Sequence, residues 1–184
     1  MPGREVTVAD LLLLEYQHLK DEQKNRVTFR DNLVYATLAS MAAVVAATLS
    51  SKNHADLLLL LPPVSVLLGW TYLVNDEKIS AIGSYIREDL APRLAHLTGG
   101  GEPVFRWEFT HRSDHRRRSR KWLQLVVDVS TFCAPPLAAV AIFLTYGSRE
   151  TVLIATSVVE IAAVGVLAAQ IISYADLRRL APGQ

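Results

Sequence analysis

Charge is missing from this chain over four stretches of membrane-crossing length, and that pattern constrains its fold more than any other feature. Twenty uncharged residues separate Asp31 from Lys52, nineteen separate Asp56 from Asp76, and twenty separate Asp128 from Arg149. Between Glu150 and Asp176, twenty-five residues carry a single charge, Glu160. An α-helix rises about 1.5 Å per residue, so roughly 20 apolar residues cross the hydrocarbon of a bilayer. Composition alone, 51% hydrophobic over 184 residues, also suits a soluble core; the distribution of the charges argues against one. The expected class is all-α: an integral membrane four-helix bundle of two transmembrane hairpins, with an N-terminal cytoplasmic helix and a basic helical cytoplasmic loop.

Lysine and arginine fix the expected orientation, because they are retained on the cytoplasmic side far more often than they are translocated. Seventeen fall in the segment before the first span, in the middle loop and in the tail, against two, Lys52 and Arg149, in the short turns. The expectation is a multi-pass protein of the cell membrane with both termini and the 76–121 loop cytoplasmic. The N-terminal region lacks a long apolar core and a small-residue cleavage site, so the first span is expected to anchor uncleaved. A lone Cys133 excludes an internal disulfide framework. The expected division is an N-terminal helix over 1–31, transmembrane hairpins over 32–75 and 122–174, a loop with an amphipathic helix over 76–121, and a tail over 175–184.

Residues 6–31 read as helix, capped by Thr7 or Asp10, with Leu12, Leu13, Tyr16 and Leu19 on one apolar side and Glu22–Arg26 as an i,i+4 pair. From Lys20 to Arg26 the helix is polar on every face, which suits a solvated stalk or a surface applied to other polar groups. Pro62–Pro63 must kink or break the outer end of the second span, and Pro135–Pro136 recur near the middle of the third, 122–144. Ile79, Ile82, Ile86 and Leu90 carry the second span onward as an interfacial or partner-packing helix. Residues 97–103 read as flexible linker. The run 111–121, with six Arg or Lys in eleven residues, suits anionic lipid headgroups rather than nucleic acid. His111 and His115 have metal-compatible spacing but no third ligand and cationic neighbours, so neither a metal nor another cofactor is expected.

Laid side by side, the spans bring polar and aromatic residues to one depth: Asp31, Asn32 and Tyr35; Trp70, Tyr72, Asn75, Asp76 and Glu77; Gln124 and Asp128; Gln170 and Tyr174. Interfacial anchoring accounts for such a level, and so does a cavity opening to the cytoplasm, since acids inside a membrane usually face an interior. Glu15, Glu22, Gln23 and Arg26 on the approach helix need partners if they pack beneath the bundle. Glu160 lies near the midplane with no Lys or Arg in any span to pair with it. It suits a proton site, a ring of acids in an oligomeric pore, or a protonated hydrogen-bond donor between helices.

No phosphate-binding glycine loop, Cys–His couple or two-metal carboxylate signature occurs in the sequence. Acids, aromatics and shape remain, and they suit protonation-initiated cyclisation of a prenyl chain, in which an acid protonates an alkene or epoxide and aromatic faces stabilise the carbocations. On that reading Asp76 and Asp128 are the acid candidates, Glu77 and Asp31 supporting polar groups, and Tyr35, Trp70 and Tyr72 cation-stabilising aromatics, with Asn75, Gln124 and Gln170 lining the site.

The residues Glu15-Tyr-Gln-His-Leu-Lys-Asp-Glu-Gln23, Arg30-Asp-Asn-Leu-Val-Tyr35 and Gly69-Trp-Thr-Tyr-Leu-Val-Asn-Asp-Glu-Lys-Ile79, together with His111-Arg112 and 121–128, resemble a family of small bacterial integral membrane proteins. That family includes membrane-bound indole sesquiterpene (meroterpenoid) cyclases. The resemblance implies a farnesylated indole substrate and no metal; the Asp-rich diphosphate motif of soluble, magnesium-dependent terpene cyclases is absent from the sequence. Paired spans with a cytoplasmic helical segment are also similar to SLATT-type effectors of bacterial defence systems, thought to form pores. That likeness is architectural, and the present chain departs from it in having four spans rather than two. It implies a homo-oligomer.

Overall fold

The computed structural model describes residues 6–50, 55–97, 99, 104–105 and 117–175. Among them there is no strand, and four helical stretches are long and apolar enough to cross a membrane: Val8–Ser50, Ala55–Leu97, Trp122–Tyr146 and Thr151–Tyr174. The expected all-α class and the four apolar helices hold. The outer-turn residues 51–54, most of the 97–103 linker, residues 106–116 with both His111 and His115, and the tail from 176 lie outside the described residues, as do the side chains of Arg117, Arg118, Arg120 and Lys121.

The first helix, α1 (Val8–Ser50), is one uninterrupted element of 43 residues rather than an approach helix and a separate span. No Gly or Pro falls inside it to end it. Its start is a reciprocal cap: the Asp10 amide donates to Thr7 Oγ1 at 3.2 Å and the Thr7 amide donates to Asp10 Oδ2 at 3.1 Å, satisfying two helix-end donors.

The proline pairs act as helix starts. Ala55–Leu60 is a 3-10 turn, and α2 (Leu61–Tyr85) begins at the residue before Pro62. In a first turn the N–H groups have no intrahelical acceptor, so prolines cost nothing there. The expected third span is likewise two helices, α4 (Arg117–Phe132) and α5 (Ala134–Tyr146), parted at Cys133 just ahead of Pro135–Pro136. The Cys133 amide donates to the Val129 carbonyl at 2.9 Å and the Leu137 amide to the Cys133 carbonyl at 3.2 Å, so the ladder resumes around the two positions where the prolines have no N–H to give. After α2 comes a π-helical turn, Ile86–Leu90, then α3 (Ala91–Leu97); the last long element is α6 (Thr151–Ala175).

By packing, the chain divides into two compact units, residues 1–29 with 75–117, and residues 30–74 with 118–184. In the first, Leu12, Ile86, Leu90 and Leu94 form the core, backed by Tyr16, Leu19, Ile82, Tyr85, Val104 and Phe105. Ile82, Ile86, Leu90 and Leu94 recur every four residues. A regular 3.6-residue turn would rotate such a series off the core face. The wide π turn at 86–90 takes up that drift, and Pro92, which lacks the N–H that Glu88 would receive, favours the irregularity there. The Phe105 ring stacks on Tyr16 with centroids 3.7 Å apart, and its backbone takes φ 61°, rare for a bulky residue. Leu13, expected on the apolar side with Leu12, is instead 44% exposed; at one residue from Leu12 it lies about 100° around the helix.

In the second unit, Leu33, Tyr72, Leu73, Phe132, Cys133, Val164, Leu167 and Ile171 form the largest core cluster. Gly69 lets the helices approach: a Cβ there would stand 2.8 Å from Leu167 Cδ2 and 3.2 Å from the Phe132 ring. Two smaller clusters lie farther along the same elements. One holds Leu58, Leu61 and Ala139 with Met41 and Val44; the other holds Leu59, Val140 and Phe143 with Leu153. The 3-10 turn packs on α5, and its Asp56 Oδ1 accepts the Ser148 amide at 2.8 Å, fixing it to the α5–α6 turn.

Candidate functional site

The expected polar level resolves into two groups, one in each unit. In the unit of 30–74 and 118–184, the group is built on α2 and α4. Gln124 and Asp128 are one turn apart on α4, so both meet the same side of the helix. The Gln124 amide nitrogen has two hydrogens and uses them on two partners: it donates to Tyr72 Oη at 2.8 Å and to Asp128 Oδ1 at 2.8 Å. Tyr72 is 4% exposed, and its ring lies 5.0 Å from that of Phe132, a residue sequence reasoning did not single out. The place of Phe132 four residues after Asp128, on the side of α4 that carries Gln124 and Asp128, was the available signal. A carboxyl group, an amide and a phenol are thus joined in one chain of hydrogen bonds. On the exposed side of α4, Trp122, Leu123, Val126 and Val127 are apolar and uncovered, so Gln124 and Asp128 border a surface suited to lipid or to an apolar ligand.

The other expected members of this unit are dispersed. Asp31 is exposed and 3.5 Å from Arg30; Tyr35 is 68% exposed and Trp70 48%. Gln170 is half-buried and Tyr174 exposed. Glu160 is 9% exposed, its Oε2 buried without a hydrogen-bond partner, and Ser65 Oγ is buried in the same condition.

In the unit of 1–29 and 75–117, Asn75 is the organising residue. It is 5% exposed, donates through Nδ2 to the Arg26 carbonyl at 2.6 Å and accepts from Arg26 Nη1 at 3.4 Å. Arg26 in turn holds Glu22 Oε1 through two nitrogens, at 2.6 and 2.8 Å. Gln23 donates to the Ile79 carbonyl at 3.3 Å. The polar stretch of α1 is therefore applied to α2 rather than left as a solvated stalk. These groups border an open groove of about 510 Å³ lined by His18, Asp21, Glu22, Asn25, Arg26, Phe29 and Asn75. Six of the seven lie on α1 at helical spacing on one face, a regularity the sequence reading passed over. Asp76 is half-buried and Glu77 exposed, and both make interactions within the structure. Farther down, Tyr85 Oη donates to Glu15 Oε1 at 2.7 Å.

Among the described residues no group of three or more His, Cys, Asp or Glu could hold a metal ion. No protein-family model, no curated protein and no solved structure matches this chain.

Proposed function

We propose that the chain is a multi-pass membrane protein that cyclises a prenylated aromatic, such as a farnesylated indole or its epoxide, by protonation. The observation that carries this reading is the chain Asp128–Gln124–Tyr72 beside the uncovered apolar face of α4. A neutral Asp128 carboxyl gives its proton to the terminal alkene carbon or the epoxide oxygen. The π electrons of the next alkene then form a carbon–carbon bond to the resulting cation. The last cation loses a proton from an adjacent carbon to the Asp128 carboxylate, directly or through water, so the acid is restored, product and substrate are isomers and no redox partner is needed. The Gln124 N–H stabilises the carboxylate left on Asp128 and, through Tyr72, is itself held in place. Trp70 and Trp122, both exposed, offer indole faces to a prenyl chain lying along the helices. Detergent-purified protein incubated with farnesylindole or its epoxide, without added metal, should yield a product of unchanged mass and altered retention. Absence of any such isomer with either substrate overturns the proposal.

The lysine and arginine distribution supports a cell-membrane location with termini and the 76–121 loop cytoplasmic, the basic run 111–121 meeting anionic headgroups. With Cys133 replaced by serine, a Lys52→Cys variant should react with an impermeant thiol reagent added outside intact cells and a Ser80→Cys variant should not. The reverse result inverts the topology.

A second reading is favoured by one observation: the apolar half of α1 is largely uncovered, with Leu38 53%, Val45 42% and Leu49 82% exposed. The opposite side of the same stretch carries the small residues Ala36, Ser40, Ala43 and Ala47, also outside the described core clusters, and such a helix suits close association with another copy and an oligomeric, membrane-permeabilising effector. Release of an entrapped dye from liposomes by the purified protein supports it; intact liposomes with a monomeric protein exclude it.

A further inference from the structure

The groove of about 510 Å³ follows α1, and helical geometry orders the residues that line it. At about 100° per residue, Asp21 and Arg26 stand about 140° apart around the helix, on opposite rims, with Glu22, Asn25 and Phe29 between them. Arg26 is on the rim next to Asn75, to which it is bonded. Lys20 and Lys24 fall on the far side of the helix, so among the described lining residues Arg26 is the one Lys or Arg. All of these groups belong to one compact unit, 1–29 with 75–117.

Arg26 is held in a fixed pose. It bonds Glu22 Oε1 through Nε and Nη2 and Asn75 Oδ1 through Nη1, and Asn75, 5% exposed, bonds the Arg26 carbonyl in return. A guanidinium carries five N–H groups, so two, one on each terminal nitrogen, remain for an anion. The Glu22 charge is offset by Arg26. That of Asp21 is not: Asp21 is exposed, and among the described residues no hydrogen bond or ion pair reaches its carboxylate or the Asn25 amide. One rim therefore has N–H groups for an anion, the other has a carboxylate for a cation, and an amide that both donates and accepts lies between. A lone anion would meet Asp21 unanswered, and a lone cation would leave the Arg26 donors unused; two opposite charges on a short tether answer both rims.

We infer that this groove binds a phosphoethanolamine group, its phosphate on Arg26 and Asn25 and its primary ammonium on Asp21. The phosphate is preferred to a carboxylate because an ester oxygen and two carbons separate it from the ammonium, as the opposite rims require, whereas in an α-amino acid both charges sit on one carbon. The rest of the ligand has a defined direction. Phe29, half exposed, lies one turn beyond Asn25 toward the uncharged stretch that begins at residue 32, so an apolar part joined through the phosphate runs along its ring toward the membrane-crossing part of α1. The same chemistry is carried by a phosphatidylethanolamine headgroup and by a soluble phosphodiester such as glycerophosphoethanolamine.

Native mass spectrometry of the full-length protein in detergent, titrated with the dihexanoyl forms of phosphatidylethanolamine, phosphatidylcholine and phosphatidylglycerol and with glycerophosphoethanolamine, tests the site. Phosphatidylethanolamine should bind most tightly of the three lipids, since the trimethylammonium of choline has no N–H for Asp21 and glycerol has no cation. Asp21→Asn should weaken it by about tenfold or more, the loss of one charge-assisted hydrogen bond, and leave phosphatidylglycerol binding undiminished. Glycerophosphoethanolamine binding as tightly as the lipid supports the site and assigns it to a soluble ligand; lipid binding that this compound does not match assigns it to the membrane. Phosphatidylcholine or phosphatidylglycerol bound as tightly as phosphatidylethanolamine, binding unchanged in Asp21→Asn, or no binding of either ethanolamine compound overturns the inference. The wild-type preference among the lipids stands even if the variant fails to fold.

Discussion

Replacing Asp128 by asparagine is expected to lower the rate of metal-free cyclisation by at least about 100-fold, the lower end of what a positioned general acid contributes. Asparagine keeps the shape of the side chain and can still accept the Gln124 N–H at its carbonyl oxygen, so the hydrogen-bonded chain to Tyr72 survives. What it lacks is the acid proton, which makes this substitution a test of chemistry more than of packing. Gln124→Ala should have a smaller effect. It removes the hydrogen bond that strengthens as the proton leaves and the carboxylate forms, worth roughly 1.5 kcal/mol or about tenfold, but leaves the proton. Asp76→Asn is the informative comparison, because Asp76 belongs to the other compact unit. If Asp76→Asn abolishes the reaction while Asp128→Asn retains it, the acid is Asp76 and the assignment made for α4 is wrong. Product analysis by mass spectrometry, with circular dichroism to check that each variant is helical, decides between them.

Residues 57–75 could be read as a helix because their composition leaves little alternative: a run of that length without a charge either crosses a membrane or fills a large core. The proline pairs could be read as interruptions, but not as helix starts, since the consequence of a proline depends on where the neighbouring turn begins. For the site, Gln124 and Asp128 were legible as a pair from their four-residue spacing. That Gln124 reaches Tyr72 is a matter of how α2 and α4 are rotated about their axes, which local spacing does not encode. Asn75 is the opposite case. It was placed in one polar level with Gln124 and Gln170 by depth alone, while both ends of its amide are engaged by Arg26. Ser65, whose Oγ is buried without a partner, was not legible in the sequence, because a serine or threonine in an apolar helix most often bonds its own backbone, as Thr37, Thr48 and Thr71 do here.

Leu12 and Leu13 show the same dependence on rotation, and a stability measurement separates them from the core residue Leu90. Leu90 is 0% exposed, and in contact with it are Leu12, Ile86 and Leu94, drawn from α1, the π turn and α3. Truncating a buried leucine to alanine removes its transfer energy and leaves a cavity, together about 2–5 kcal/mol. The site has little scope to collapse, because the π turn that presents Leu90 is already fixed by Pro92 and by the Ala91 amide, which donates to the Ile86 carbonyl. Leu13→Ala removes the same atoms from a position 44% exposed and is expected to cost no more than about 0.5–1 kcal/mol. Hydrogen exchange of the amides in 12–19 and 82–94 reads the opening of this unit in the intact protein. At a factor of ten per 1.4 kcal/mol, Leu90→Ala should speed it by roughly 30- to 4,000-fold, and Leu13→Ala by no more than about fivefold. Equal acceleration by the two variants would mean that α1 turns a different face to this core, one that buries Leu13 as sequence periodicity expected.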